Sequence, residues 1–246
     1  MNKVRILDIP FSNLSMDETV NALHARLNGG ESRLFHLITA NPEIVMAARK
    51  DVGLKTILEE ADMITADGIG VVKAAKWFGE NIPERVTGYD LLLRLLELGN
   101  LENWSFYFLG ADEETNRKAV ETIQQQYPGV IIAGRQHGFF KPEDESRILE
   151  EIAEARPTFL IIALGAPRAE RWIYTHKSKL PVQLAMGVGG SLDVIAGKVK
   201  RAPAIWQKLN LEWMYRLLSQ PSRWRRQLVL PLFVLTCLKE RKKSRA

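Results

Sequence analysis

The chain has 246 residues, 46% hydrophobic and 26% charged, which is ordinary globular usage and excludes wholesale disorder. It contains no uncharged apolar stretch of about 18 residues, so a conventional transmembrane helix is not expected. The net charge of +5 hides an asymmetry: residues 198–246 hold 13 Lys/Arg against Glu212 and Glu240, whereas residues 1–197 hold 21 against 27 acids.

The opening Met1-Asn2-Lys3-Val4-Arg5 lacks the apolar core of a secretory signal. One cysteine, Cys237, excludes an intrachain disulfide and a cysteine zinc cluster. A reducing, cytoplasmic setting is the expectation. Short apolar runs rich in β-branched and aromatic residues then follow in order: 34–38, 63–64, 104–109, 130–133, 159–163 and 182–186. Helical patterns separate them. Asp112 is placed to cap a helix over 113–126, where Ala119, Val120 and Ile123 share a face. Pro142 and the acids after it open another over 142–155. Strand–helix alternation of this kind predicts an α/β fold with a largely parallel sheet.

The basic tail reads differently. Segments 211–218 and 221–239 look helical, separated at Gln220-Pro221 and kinked or interrupted at Pro231. From Leu228 to Leu238 every residue except Pro231 and Thr236 is a large apolar residue or cysteine. These 11 residues make about 16 Å of helix, half a bilayer core. Arginines precede the run and a Lys/Arg cluster follows it. The division expected is a core over 1–197 and a helical appendage over 198–246 that meets something anionic, either nucleic acid or a membrane leaflet. The apolar run disfavours nucleic acid. A homo-oligomer is compatible with the sequence.

In α/β sheets ligands gather at the carboxyl ends of strands. Small residues stand at all six exits: Thr39-Ala40-Asn41, Asp67-Gly68, Gly110, Gly134 with His137-Gly138, Gly165-Ala166, and Gly187-Val188-Gly189-Gly190-Ser191-Leu192-Asp193. One such glycine marks only a tight turn. The series points to close backbone approach of a ligand with phosphates, seated on helix N-termini. Leu192 stands where a dinucleotide fingerprint needs glycine, and no Gly-Lys-Ser/Thr occurs, so a dehydrogenase or P-loop enzyme is disfavoured. The four histidines show no ligand spacing and no Asp-x-Asp pair is present, so a metal is not expected. A diphosphate would then need Arg, Lys and backbone N–H groups. Asp193 is either a contact to base or ribose, or a turn residue. Asp67 is either a general base at the pocket mouth or the cap of the next helix. Arg85 is either a phosphate or carboxylate ligand, or a surface ion-pair residue.

Thr39-Ala40-Asn41-Pro42-Glu43, Ala66-Asp67-Gly68-Ile69-Gly70, Glu84-Arg85-Val86-Thr87-Gly88, Leu164-Gly165-Ala166-Pro167, 187–193, Arg201-Ala202-Pro203 and Leu211-Glu212-Trp213 together resemble the WecG/TagA/CpsF glycosyltransferase family, over roughly residues 5–226. The resemblance is strongest to its N-acetylmannosaminyltransferase branch, in wall teichoic acid linkage-unit synthesis. It implies a Rossmann-like core, a C-terminal appendage at the inner face of the cell membrane, and no cofactor or bound metal. The implied reaction is inverting transfer of N-acetylmannosamine from a UDP-sugar donor to undecaprenyl-diphosphate-linked N-acetylglucosamine, in a β-1,4 linkage. A related transferase using the uronic acid or glucose is the alternative. By the same resemblance Asp67 is the catalytic base, Thr39, Asn41 and Arg85 belong to the substrate pocket, and Arg216, Arg223 and Arg226 reach the diphosphate. Ala169 departs from the family pattern, which has glutamine there.

Overall fold

The computed structural model describes residues 3–243 apart from 32, 220–223 and 225–227, and apart from the side chains of Arg216 and Lys243. It opens with an antiparallel hairpin, β1 (Lys3–Ile6) and β2 (Ile9–Ser12), turning at Leu7 and Asp8 with φ of 49° and 71°. Two successive positive φ values give the turn the twist that suits a two-residue hairpin.

The main sheet has six strands, all parallel, in the order β4-β3-β8-β7-β5-β6. They are β3 (Phe35–Ala40), β4 (Met63–Ala66), β5 (Ser105–Gly110), β6 (Ile131–Gln136), β7 (Phe159–Ala163) and β8 (Leu184–Gly187). Every residue of β3, β4 and β8 is buried, which is why these strands read as unbroken apolar runs rather than alternating ones. The fold class expected from the strand–helix alternation is the one observed.

Alternate side chains divide the core between two faces. Phe106, Phe108, Phe159, Ile161, Leu184 and Met186 pack under α1 (Met16–Asn28), α5 (Gly88–Glu102) and α6 (Glu113–Gln126). On the other face, Ile38, Ala40 and Ile64 meet the hairpin, α2 (Pro42–Ala48), α3 (Val52–Glu60) and α4 (Ile69–Trp77). On that same face Leu160, Ile162 and Ala185 meet α7 (Glu145–Ala155) and α8 (Arg168–His176). Local chemistry sets the helix starts. Ser15 and Glu18 form a reciprocal capping box on α1, and Asp112 accepts from Thr115 N–H to cap α6.

The last part of the described chain carries α9 (Ser191–Ile195), α10 (Ala204–Lys208), α11 (Glu212–Ser219) and α12 (Val229–Lys243). Pro231 falls in the first turn of α12, where its missing N–H breaks no helical bond. One side of α12 docks on α2 and α4: Phe233 and Cys237, one turn apart, are fully buried there, and Arg49 pairs with Glu240 at 3.3 Å. Burial pushes the Cys237 thiol up to about 12. The opposite side exposes Leu232 and Leu235, in line with Leu228 just before the helix. Of the apolar run 228–238 only Phe233 and Cys237 are fully in the core, while Leu228, Leu232, Leu235 and Leu238 face solvent. Among the described residues no helix is long and apolar enough to cross a membrane.

Gly110 shows how tightly the sheet closes. At φ +128°, a Cβ there would stand 2.4 Å from the Ala163 carbonyl carbon on the neighbouring strand. Gly110→Ala is expected to lower stability by about 1–3 kcal/mol from overpacking, beyond its backbone strain. Gly79→Ala, at φ +81° with no described atom within 4 Å, carries strain alone. Urea midpoints of the two variants check this: Gly110→Ala should fall clearly below Gly79→Ala.

Candidate active site

The carboxyl ends of β3, β4, β7 and β8 open into a cleft of about 670 Å³. Sheet register builds its first wall. Thr39 lies opposite Thr65 and Ala40 opposite Ala66, so Asn41 and Asp67 leave the sheet side by side. Asp67 N–H donates to Ala40 O at 3.0 Å, which continues the ladder one residue beyond the strands.

The segment before α5 then zips along β4. Val86 N–H donates to Ala66 O at 2.9 Å, and Thr65 Oγ1 donates to Val86 O at 3.0 Å. This fixes Arg85 on one side and Thr87 on the other, and Thr87 caps α5 by accepting from Asp90 N–H. Gly88 follows because space runs out: a Cβ there would come within 2.8 Å of Thr39 Oγ1. The Gly88 N–H reaches Asp67 Oδ2 at 3.5 Å.

Asp67 is not the cap of α4. The cap position is Gly68, at φ 132°, and it offers no side chain. The Asp67 carboxylate therefore lines the cleft instead. Asn41 does serve as a cap, its Oδ1 accepting from Ile44 N–H at 3.0 Å, which leaves its NH2 as the group to offer a ligand. Thr39 and Arg85 also line the cleft, and Arg85 Nη1 pairs with Glu212 of α11 at 3.2 Å.

The second wall is glycine-rich. Gly165, Gly187, Gly189 and Gly190 line it, with Asp193 in the first turn of α9. Gly189, at φ +52°, has open space around its Cα among the described residues. Basic groups close the far side. Lys198 Nζ bonds Asp112 at 2.5 Å, which raises the lysine and holds the aspartate well below the usual carboxylate range. Arg201 bonds Asp90 at 2.5 Å, and its guanidinium lies 4.6 Å from the centre of the Tyr89 ring.

Two glycines expected at the ligand lie elsewhere. Gly110 and Gly138 are not among the lining residues. Gly110 makes room for β7, and a Cβ on Gly138 would meet Leu164 Cδ2 at 2.8 Å and Gly110 Cα at 3.1 Å. Close packing is by itself a sufficient reason for glycine at both places. Arg223 and Arg226, and the side chain of Arg216, lie outside the described residues. Lys198, Arg201, Glu212, Trp213 and Glu170 line the cleft without having been singled out for it in the sequence. Glu170 is 4% exposed, and burial pushes its carboxyl up to about 7. Its only signal was the place next to Ala169. Among the described residues no group of three or more His, Cys, Asp or Glu gathers as a metal site.

Comparison with known proteins gives the family. The sequence model of the Glycosyl transferase WecG/TagA/CpsF family matches residues 4–246. A protein of Bacillus spizizenii strain W23, named N-acetylglucosaminyldiphosphoundecaprenol N-acetyl-beta-D-mannosaminyltransferase, is 38% identical over 208 residues, 85% of this chain and 80% of that one. A Staphylococcus aureus MRSA252 protein of the same name is 34% identical over 241 residues, 98% of this chain and 94% of that one. With its motif residues converging on one cleft at the strand ends and the family's sequence pattern running from residue 4 to residue 246, the chain belongs to the WecG/TagA/CpsF family of glycosyltransferases.

Proposed function

We propose that this enzyme transfers N-acetylmannosamine from a UDP-linked donor to undecaprenyl-diphosphate-linked N-acetylglucosamine, with inversion and without a metal, as a step of wall teichoic acid linkage-unit synthesis. The observation that carries the reading is the convergence of Thr39, Asn41, Asp67 and Arg85 on a cleft whose opposite wall is Gly187–Gly190. The names of the relatives supply the sugar and the lipid carrier.

In this reading the acceptor hydroxyl attacks the anomeric carbon as Asp67 takes its proton. The bond from that carbon to the diphosphate breaks, and UDP leaves with the electron pair. Thr39 and the Asn41 NH2 orient the sugars. Arg85, Lys198 and Arg201 offset the charge on the departing diphosphate, aided by the N-terminus of α8. Residues 1–197 then form the donor-binding core and 198–246 the appendage, with Asp193 at the base or ribose. Arg216, Arg223 and Arg226 are assigned to the acceptor diphosphate. Product analysis with a short-chain lipid-linked acceptor and a panel of UDP-sugars, the uronate and glucose forms included, tests donor choice directly.

The appendage is read as a membrane contact at the inner face. The exposed row Leu228, Leu232 and Leu235 lies just before Lys239, Arg241 and Lys242, and each basic residue near an anionic surface contributes about 1 kcal/mol. Leu230 lines the cleft, so the start of α12 stands at its mouth.

Asp67→Asn keeps the shape and removes the base, so turnover is expected to fall about 10²–10⁴-fold with donor binding unchanged. Turnover within threefold of the parent would exclude the assignment. Excess EDTA should leave activity intact; loss that magnesium or manganese restores refutes the metal-free reading. Deleting the tail would uncover the α2–α4 face, so the membrane role is better tested on the exposed row. Leu232→Asp with Leu235→Asp should abolish co-sedimentation with anionic vesicles while the melting temperature stays near the parent's. Unchanged vesicle binding by this variant would rule the row out.

A further inference from the structure

Glu170 is a buried acid of the cleft that the reaction above does not use. It is the third residue of α8, whose N-terminus follows Gly165, Ala166 and Pro167 at the end of β7. It lines the cleft at 4% exposure. Its Oε1 lies against Gly187, where a Cβ would approach within 3.1 Å, and its Oε2 has no hydrogen-bond partner among the described residues. An unpartnered carboxyl at such depth is costly unless a ligand meets it.

The surroundings fix the form in which it waits. On α8, Arg168 donates to Gly138 O and stacks over Phe140, Arg171 pairs with Asp51, and His176 is held low by burial. From α3, packed against α8, Lys55 pairs with Asp8, and Glu60 pairs with Lys177 while Glu59 lies near Arg5. From β3, His36 is pushed down to about 4 by burial, and β8 carries no charge. Across the cleft Arg85 is paired with Glu212, Lys198 with Asp112 and Arg201 with Asp90, while Asp67 meets Gly88 N–H; Glu43, Asp193 and Lys200 complete its charged lining. Among the described residues no neighbouring charge contributes to the state of Glu170. Burial raises its carboxyl to about 7, opposed by its own backbone N–H.

Building on the nucleotide-sugar reading, we propose that Glu170 binds the donor as a neutral acid, its carboxyl O–H donating a hydrogen bond to a diphosphate oxygen, so that donor binding takes up one proton. A diphosphate oxygen and a sugar hydroxyl ask for different forms of the acid. A hydroxyl is served as well by an ionised carboxylate, which accepts from it. An anion is repelled by that carboxylate and needs the protonated form. The glycine wall at Gly165 and Gly187 and the first turn of α8 bring an anion to this place. Water supplies the proton on binding, and the proton returns to water when UDP departs.

The sign of the pH dependence follows. The free enzyme loses the Glu170 proton as pH rises through about 7, whereas the bound enzyme keeps it. Affinity for UDP-N-acetylmannosamine, whose diphosphate stays fully ionised throughout, is therefore flat at low pH. It should be about 30-fold weaker at pH 8.5 than at pH 6. Titration calorimetry in buffers of different ionisation enthalpy should count about one proton taken up at pH 8.5 and about none at pH 6. Glu170→Gln is neutral at every pH and keeps an N–H donor, so its affinity should not change with pH and it should take up no proton. Binding by the parent at pH 8.5 without proton uptake, or proton uptake that survives in Glu170→Gln, overturns the proposal. Tighter binding at high pH than at low assigns Glu170 to a hydroxyl instead and also overturns it. Failure of every UDP-sugar to bind the parent at pH 6 overturns the nucleotide reading on which it rests.

Discussion

The pairing of β3 with β4 is the contact on which the cleft depends. Both strands are buried on both faces, so charged side chains have a place only where the strands end. The register that sets Ala40 beside Ala66 brings Asn41 and Asp67 out at one level, and the Asp67 N–H to Ala40 O bond holds them there. A slip of one residue would turn every side chain of one strand to the other face and draw Asp67 out of line. The rest of the site is fastened to the same pair. The stretch carrying Arg85 and Thr87 bonds to β4, and α5 starts where that stretch ends.

Helix α12 bears on the same place from behind. The two helices it packs against, α2 and α4, have Asn41 and Gly68 at their N-cap positions, on the rim of the cleft. Phe233 and Cys237 therefore sit in one core with Ile44, Val45, Val71 and Ala74. The exposed side of α12 is thus joined to the helices that start beside Asn41 and Asp67 by packed side chains rather than by a loop. On the near side, Glu212 of α11 holds the Arg85 guanidinium in a partly buried pair. The tail is part of the architecture of the site, whatever its outer surface meets.

Much of this was legible in the sequence because a short unbroken apolar run, rich in β-branched residues and closed by glycine, suits a strand buried on both faces. The run 159–163 is β7 residue for residue, and Asp112 caps α6 over 113–126 as its position before that helix suggests. The N-terminal hairpin carries no comparable signal, because its turn is Leu7-Asp8 and not the Asn-Gly pair that advertises such turns. The glycines carry two different signals. Gly187, Gly189 and Gly190 do line the cleft, but Gly110 and Gly138 are small for packing, and a sequence does not separate the two causes. Glu170 was illegible because acids are almost always at the surface, and only the fold puts this one beneath Gly187.

The central place of β8 bears on how the chain comes together. It is the last strand in the sequence, yet it lies between β3 and β7. Until residues 184–187 arrive, the sheet is two separate pieces, β4-β3 and β7-β5-β6, each with an unpaired apolar edge where β8 will go. Such edges are templates for pairing with other chains. Long-range parallel pairing of this kind folds slowly and stays exposed to aggregation while it does. A chain cut short before Leu184 would hold both half-sheets and nothing to join them, and would be expected in inclusion bodies rather than as a folded fragment.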